Sequence, residues 1–183
     1  ADTVVGVGTV LTNILEKDYG YNVLHDKTKY DMMKGYLERN LAYNFAADGL
    51  KKILKKNPSI EVMIDLHRDN GNKRAVTING EKVANVMLFN GLSRNSKGEE
   101  IGYLRNPNLQ DNLAFSLKLQ LKGRELFPGY MYKNYLKSLR FNLHFRKKAI
   151  LAEVGTLNNT VAEEKNSMKY LAKILDEVLT EGK

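Results

Sequence analysis

The residues best placed to do chemistry are ionisable groups that close short apolar runs. Ile64-Asp65-Leu66-His67 and Ile150-Leu151-Ala152-Glu153 both have this form. In an open α/β sheet, ligands bind beyond the carboxyl ends of the strands, because loops and helix starts converge there. His67 and Glu153 are therefore expected to face one crevice although they lie far apart in the chain. A His beside a carboxylate can act as a metal ligand with a general base, or as an acid/base pair without metal. The same residues can instead be structural: Asp65 and His67 pairing with Arg68 or Asp69 at a strand end, and Glu153 satisfying backbone donors or a basic neighbour. His144, in Arg140-Phe141-Asn142-Leu143-His144, is near enough to the Glu153 run to reach the same crevice, and His25 closes Tyr21-Asn22-Val23-Leu24-His25 before Asp26. Three histidines can complete a zinc set, but these three share no recurring spacing.

Other chemistries are excluded by composition. The 183 residues contain no Cys, which removes disulfides, thiolate metal sites and cysteine nucleophiles. Gly6-Val7-Gly8 resembles the start of a dinucleotide-binding turn, but Leu11 stands where the third glycine belongs and no strand precedes it. There is neither a phosphate-binding loop nor a nucleophile elbow. With 29 Lys+Arg against 21 Asp+Glu the formal charge is +8, which suits a polyanionic partner or a solvated basic surface. Lys51, Lys52, Lys55 and Lys56 form a basic helix end that suits the helix dipole. Arg146-Lys147-Lys148 is a second cluster beside the candidate site. Neither cluster has the stacking aromatics or motif of a nucleic-acid binder, so no nucleic-acid partner is expected.

The elements that must position these residues alternate between helical and extended patterns, as in an α/β fold of one domain. Val4, Val7, Leu11, Ile14 and Leu15 define a first helix stopped by Gly20, and Tyr21–His25 reads as a short strand. Tyr30 to Lys56 reads as a long helical segment ending at Asn57-Pro58. Ile60–His67 has the composition of a buried parallel strand. Arg74–Ile78 and Lys82–Phe89 flank Asn79-Gly80, a tight-hairpin dipeptide. Ser93 to Asn108 is a polar loop, Leu109 to Phe127 a helix closed by Pro128-Gly129, and Ala149–Ala152 a strand ending at Glu153. Thr160-Val161-Ala162-Glu163 fits a capping box that starts a last helix running to about Leu179. No run approaches the roughly 18 apolar residues of a membrane span. The opening Ala1-Asp2-Thr3-Val4 carries neither Met nor a signal pattern, as expected of a processed or trimmed piece of a longer chain.

Several segments together carry a family resemblance. Val5-Gly6-Val7-Gly8, His25-Asp26-Lys27-Thr28, Asn57-Pro58-Ser59-Ile60, Ile64-Asp65-Leu66-His67-Arg68-Asp69, Arg140-Phe141-Asn142-Leu143-His144 and Ala152-Glu153-Val154-Gly155, then Asn158-Asn159-Thr160, follow one another in this order. In this the sequence resembles the stage II sporulation protein P family of zinc-dependent N-acetylmuramoyl-L-alanine amidases. The resemblance runs over essentially the whole chain, and the Leu-His-Arg-Asp and Glu-Val-Gly strand ends are its most specific parts. It implies a mostly parallel central sheet flanked by helices and cleavage of the bond between N-acetylmuramic acid and L-alanine in peptidoglycan. That activity belongs to forespore engulfment, and some members also cut cross-linked stem peptides.

The resemblance also implies roles. His67 matches a zinc ligand, Glu153 the catalytic glutamate that activates water, and His144 a histidine of substrate or intermediate binding. His25 and Asp26 match a recurring strand end, and Asp65, Arg68, Asp69, Arg140 and Asn142 stand beside the motif residues as substrate-binding or structural positions. The family's first motif, a strand ending in His-Thr-His with a nearby Glu, is not found in the sequence. The other zinc ligands are therefore expected upstream of Ala1, along with an N-terminal strand and a membrane anchor, so residues 1–183 alone are expected to hold zinc poorly. The implied partners are peptidoglycan and stage II sporulation proteins D and M, and the implied location is the space between the mother-cell and forespore membranes. The contrasting expectation is a non-catalytic wall-binding or partner-docking module with an incomplete metal site.

Overall fold

A computed structural model describes residues 3–181, with the side chains of all but residues 39 and 40. The opening Ala1-Asp2 pair lies outside the described residues. The elements run α1 (Val4–Lys17), α2 (Arg39–Lys56), β1 (Val62–Asp69), β2 (Ala75–Ile78), β3 (Glu81–Ala84), β4 (Val86–Gly91), α3 (Leu109–Leu126), β5 (Met131–Lys137), β6 (Lys148–Thr156) and α4 (Val161–Thr180). Four strands form a sheet in the order β1-β6-β4-β5. Two of its three pairings, β1 with β6 and β4 with β5, are parallel, and β4 with β6 is antiparallel. β2 and β3 form a separate antiparallel pair. The expected α/β class, mostly parallel sheet and hairpin are all present, and the hairpin turns on Asn79 and Gly80, both at positive φ.

Strand alternation sorts the side chains between two unequal layers. Ile64 and Leu66 of β1, Ile150, Ala152 and Val154 of β6, and Val86 and Leu88 of β4 join the main core, where α1, α3 and α4 supply Val7, Leu11, Phe115, Leu119, Leu171 and Leu175. The alternate residues Met63, Ala149, Leu151 and Phe89 form a smaller cluster on the opposite face with Tyr43 of α2, Phe141 and Leu143. That cluster covers the start of β1 and β6 only. The far end of this face carries His67 and Glu153.

Four sequence expectations are corrected. Tyr21–His25 is extended but is not a strand: Tyr21 and Val23 pack on the main core, and the Tyr21 hydroxyl donates to Asp176 of α4 at 3.1 Å. No strand of the described residues pairs with this segment. The helix expected from Tyr30 to Lys56 is two pieces, a single turn over Tyr30–Met32 and then α2, separated by Gly35 at φ 78°. The run Lys82–Phe89 is likewise two strands, and Asn85 is the corner. Its N–H donates to the Arg74 carbonyl at 3.2 Å, its carbonyl accepts from Gly155 N–H at 2.8 Å, and its side-chain amide donates to the Gly129 carbonyl. The chain thus leaves one sheet and enters the other within a residue. Finally, β6 runs past Glu153 to Thr156, and β5 has no counterpart among the expected strands.

Candidate active site

His67 and Glu153 are cross-strand partners in the parallel β1–β6 ladder. Paired residues project from the same face, so the two side chains share the open end of the sheet. Asp65, two residues before His67, is on that face too and accepts from His67 Nε2 at 2.8 Å. The ring is 41% exposed. In the neutral ring this leaves Nδ1 as the free lone-pair nitrogen, held in orientation by the carboxylate. Tyr43 of α2 stacks on the ring at 6.4 Å between centroids and 10° between planes, and packs edge-on against Phe141 at 5.6 Å. Asn142, in the left-handed region at φ 59°, donates its side-chain amide to the Tyr43 carbonyl at 2.8 Å and so pins α2 to the loop before β6.

The electrostatics follow from this packing. Burial pushes Glu153 up to about 7; the His67 charge opposes the shift, and Asp69 and Asp65 add to it. Its Oε2 is buried without a hydrogen-bond partner among the described residues. A carboxylate of this kind exchanges protons at neutral pH. Partial burial pushes His67 down, but the Asp65 hydrogen bond and the charges of Asp65 and Glu153 outweigh it and raise the ring above its ordinary value. Burial, then Asp65 and Glu153, raise the Tyr43 hydroxyl well above the usual phenol range, so Tyr43 stays a neutral donor beside them.

The remaining candidates divide into supports and outliers. Asp69 accepts from Arg74 Nη1 at 2.7 Å, and Arg74 Nη2 donates to the Gly155 carbonyl at 3.1 Å, bracing the strand ends that carry His67 and Glu153. Arg68 pairs with the fully buried Glu164 of α4 at 3.7 Å. Arg140 donates to the Arg105 carbonyl at 3.1 Å. His144 lies against Phe145 at 4.0 Å between ring centroids. Burial, with the positive charges of Arg140 and Lys51, pushes it down to about 4, so it is neutral at physiological pH. Among the described residues it makes no hydrogen bond, ion pair or ring contact with His67 or Glu153, and its Nδ1 is buried without a partner. His25 sits against Gly8 of α1, where an added Cβ would meet its Nε2 at 2.8 Å. Asp26 accepts from Thr28 N at 3.0 Å and from the hydroxyls of Thr28 and Tyr30, each at 2.6 Å, in a local turn.

Two members of the site were not visible from the sequence. Tyr43 falls inside the long helical segment from Tyr30 to Lys56 and Arg74 opens the extended run Arg74–Ile78, and neither has a motif around it. Among the described residues, no group of three or more His, Asp or Glu is placed to hold a metal ion. For zinc, they offer one ligand nitrogen with its orienting carboxylate, but not a complete set.

Compared with known proteins, the chain matches no curated protein and no solved structure. The family model described as "Stage II sporulation protein P (SpoIIP)" matches residues 1–176. The order of motifs and the Glu153–His67 pairing thus sit within a match that spans nearly the whole sequence, and the chain belongs to the stage II sporulation protein P family.

Proposed function

We propose that this sporulation-family chain is a peptidoglycan hydrolase that cleaves the amide between N-acetylmuramic acid and the L-alanine of the stem peptide during forespore engulfment. The observation that carries the reading is Glu153: a buried carboxyl, poised near neutrality, with one oxygen unpartnered, paired across the sheet with an oriented histidine. Amide cleavage needs a base to take a proton from the attacking water and an acid to hand it to the leaving amine. One group with a pKa near the working pH can do both in turn. Glu153 fills that role, Asp65 fixes the His67 ring, and Tyr43 covers one face of that ring.

Zinc is the expected cofactor, and His67 is the described residue that would hold it. When bound, the metal acidifies a coordinated water and polarises the carbonyl. Among the described residues no two further His, Asp or Glu are grouped with His67 to complete a metal site. Within the same proposal, His144 binds substrate rather than metal, stage II sporulation proteins D and M are partners, and the protein acts between the mother-cell and forespore membranes. No helix of the described residues is long and apolar enough to cross a membrane. The competing module reading predicts wall binding without product.

The test is release of stem peptides from purified sacculi in the presence of zinc by a protein carrying this chain with its native upstream residues. Glu153→Gln is expected to keep the circular dichroism spectrum and sacculus binding while losing at least 10²-fold in release. Normal release by that variant removes Glu153 from the mechanism. Binding without release by the wild type supports the module.

A further inference from the structure

The row that holds the candidate site continues across the sheet. His67 of β1 pairs with Glu153 of β6, Glu153 with Met87 of β4, and Met87 with Lys133 of β5. Paired residues share a face, and neighbouring strands are about 4.8 Å apart, so Lys133 stands about 10 Å from Glu153 on the same surface. Met87, 3% exposed, is the floor between them.

From Lys133 the edge strand builds a ladder of alternating cations and rings. The Arg74 guanidinium lies 5.0 Å from the Tyr132 ring. Lys133 Nζ lies 5.2 Å from Tyr132 and 4.9 Å from Tyr135, and Lys137 Nζ lies 5.0 Å from Tyr135. Arg74 is anchored in turn by Asp69 and the Gly155 carbonyl, which ties the ladder to the candidate site. Tyr132 and Tyr135 are 51% and 36% exposed. Neither Lys133 nor Lys137 has a carboxylate partner among the described residues, whereas many other surface lysines do. Two lysines held over rings and left without counter-charges form a surface complementary to acidic groups, and the ring faces suit flat, weakly polar ones.

We propose that the Arg74–Tyr132–Lys133–Tyr135–Lys137 ladder is a substrate subsite: Lys133 and Lys137 bind carboxylates of the stem peptide of an acidic glycopeptide, and the tyrosine faces pack against the flat amide groups between them. The proposal rests on the hydrolase reading and names where that substrate lies. The spacing is apt, because about 10 Å is the reach of three extended peptide residues, so a carboxylate two or three residues from the scissile amide meets Lys133 while the amide sits at Glu153. A uniformly charged phosphate polymer fits less well, because a strand laid along this row also passes the carboxylates of Asp65, Asp69 and Glu153. A ligand with sparse carboxylates places its charges only at the lysines.

The test is co-sedimentation of the full chain with purified peptide-bearing sacculi stripped of phosphate polymers, with binding as the readout. The expected result is at least tenfold weaker binding for Lys133→Glu/Lys137→Glu, about threefold weaker for Tyr132→Ala, and less than twofold change for the charge-matched control Lys55→Glu/Lys56→Glu. Lys133→Arg/Lys137→Arg is expected to bind within twofold of wild type, which separates loss of charge from loss of fold. Equal losses in the ladder and control variants, or unchanged binding in the ladder variant, overturn the proposal. So does binding that appears only when phosphate polymers are left on the sacculi, or that purified duplex DNA removes equally from both glutamate variants. Because cleavage is not read, an inactive wild type would refute the hydrolase reading while leaving this binding result to stand or fall by itself.

Discussion

Glu153 is set by opposing influences that can be separated by pH. Its folded pKa of about 7 lies above the ordinary 4.5, so the native state binds a proton that the unfolded chain has already released over that interval. A raised pKa contributes stability that is complete below about 4.5 and is lost as pH rises through about 7. Glu153→Gln cannot ionise and escapes this loss. In denaturant titrations with a chelator present, the wild type is expected to lose stability relative to Glu153→Gln between pH 5 and pH 8, by on the order of 1–3 kcal/mol. Superimposable pH profiles for the two proteins would show that the carboxyl is solvated like any surface glutamate. Activity should move the opposite way: the base form is needed to take a proton from water, so release by the complete protein rises with pH toward neutrality. The sequence places Glu153 and His67 at the ends of apolar runs, and the structure carries those strands on to Thr156 and Asp69. The sequence does not reveal that Tyr43 stacks on the His67 ring, because an aromatic on the packed side of a helix carries no pattern of its own.

At the scale of elements, the site depends on the last residues of β6 and the turn that follows them. Gly155 lies at φ 64°, and a Cβ there would meet Asn159 Oδ1 at 2.7 Å and the Ala84 Cβ at 3.0 Å. Asn159 Oδ1 accepts from the N–H groups of Thr156 and Arg74, and its amide donates to Glu163, so the same side chain joins β6, the hairpin and the start of α4. Gly155→Ala therefore combines a left-handed alanine with a clash in the clamp, at a cost of about 2 kcal/mol or more. Thermal unfolding should fall by roughly 4–8 °C. Thr160→Ala removes the N-cap of the complete capping box and is expected to cost about 1 kcal/mol, half that drop or less. If Gly155→Ala melts with the wild type, the turn is not the clamp described.

These elements also show what sequence patterns carry. The capping box, the Asn79-Gly80 turn and the stop at Gly20 were legible because each is chemistry local to a few residues; at Gly20 the closing bonds run from Tyr21 N to the Leu15 carbonyl at 3.0 Å and from Gly20 N to the Glu16 carbonyl at 3.2 Å. β5 was not legible. It lies on the sheet edge with a register shift opposite Val86/Met87, and five of its seven residues are exposed, so no apolar alternation marks it. The division of Lys82–Phe89 at Asn85 was hidden for a related reason: both halves are extended, and only long-range partners of Asn85, at Arg74, Gly129 and Gly155, tell them apart.

For the whole molecule, the decisive question is whether its histidines converge, and among the described residues they do not. His67 stands at the open end of the sheet with Asp65, His144 packs on Phe145 near Arg140 and Lys51, and His25 packs on α1. A proton-binding histidine can act alone, but a tight zinc centre needs three protein ligands around one point. Residues 1–183 are therefore expected to bind zinc with a dissociation constant of roughly micromolar or weaker, measured by competition with a chromophoric chelator at pH 7.5. His67→Ala should remove what binding there is, whereas His25→Ala and His144→Ala should leave it within twofold. Asp65→Asn should weaken it by roughly tenfold or more, since it loses the carboxylate that orients the ring. Nanomolar binding that falls with His144→Ala or His25→Ala would mean that the loops carrying those residues close onto His67 and complete a convergent metal site.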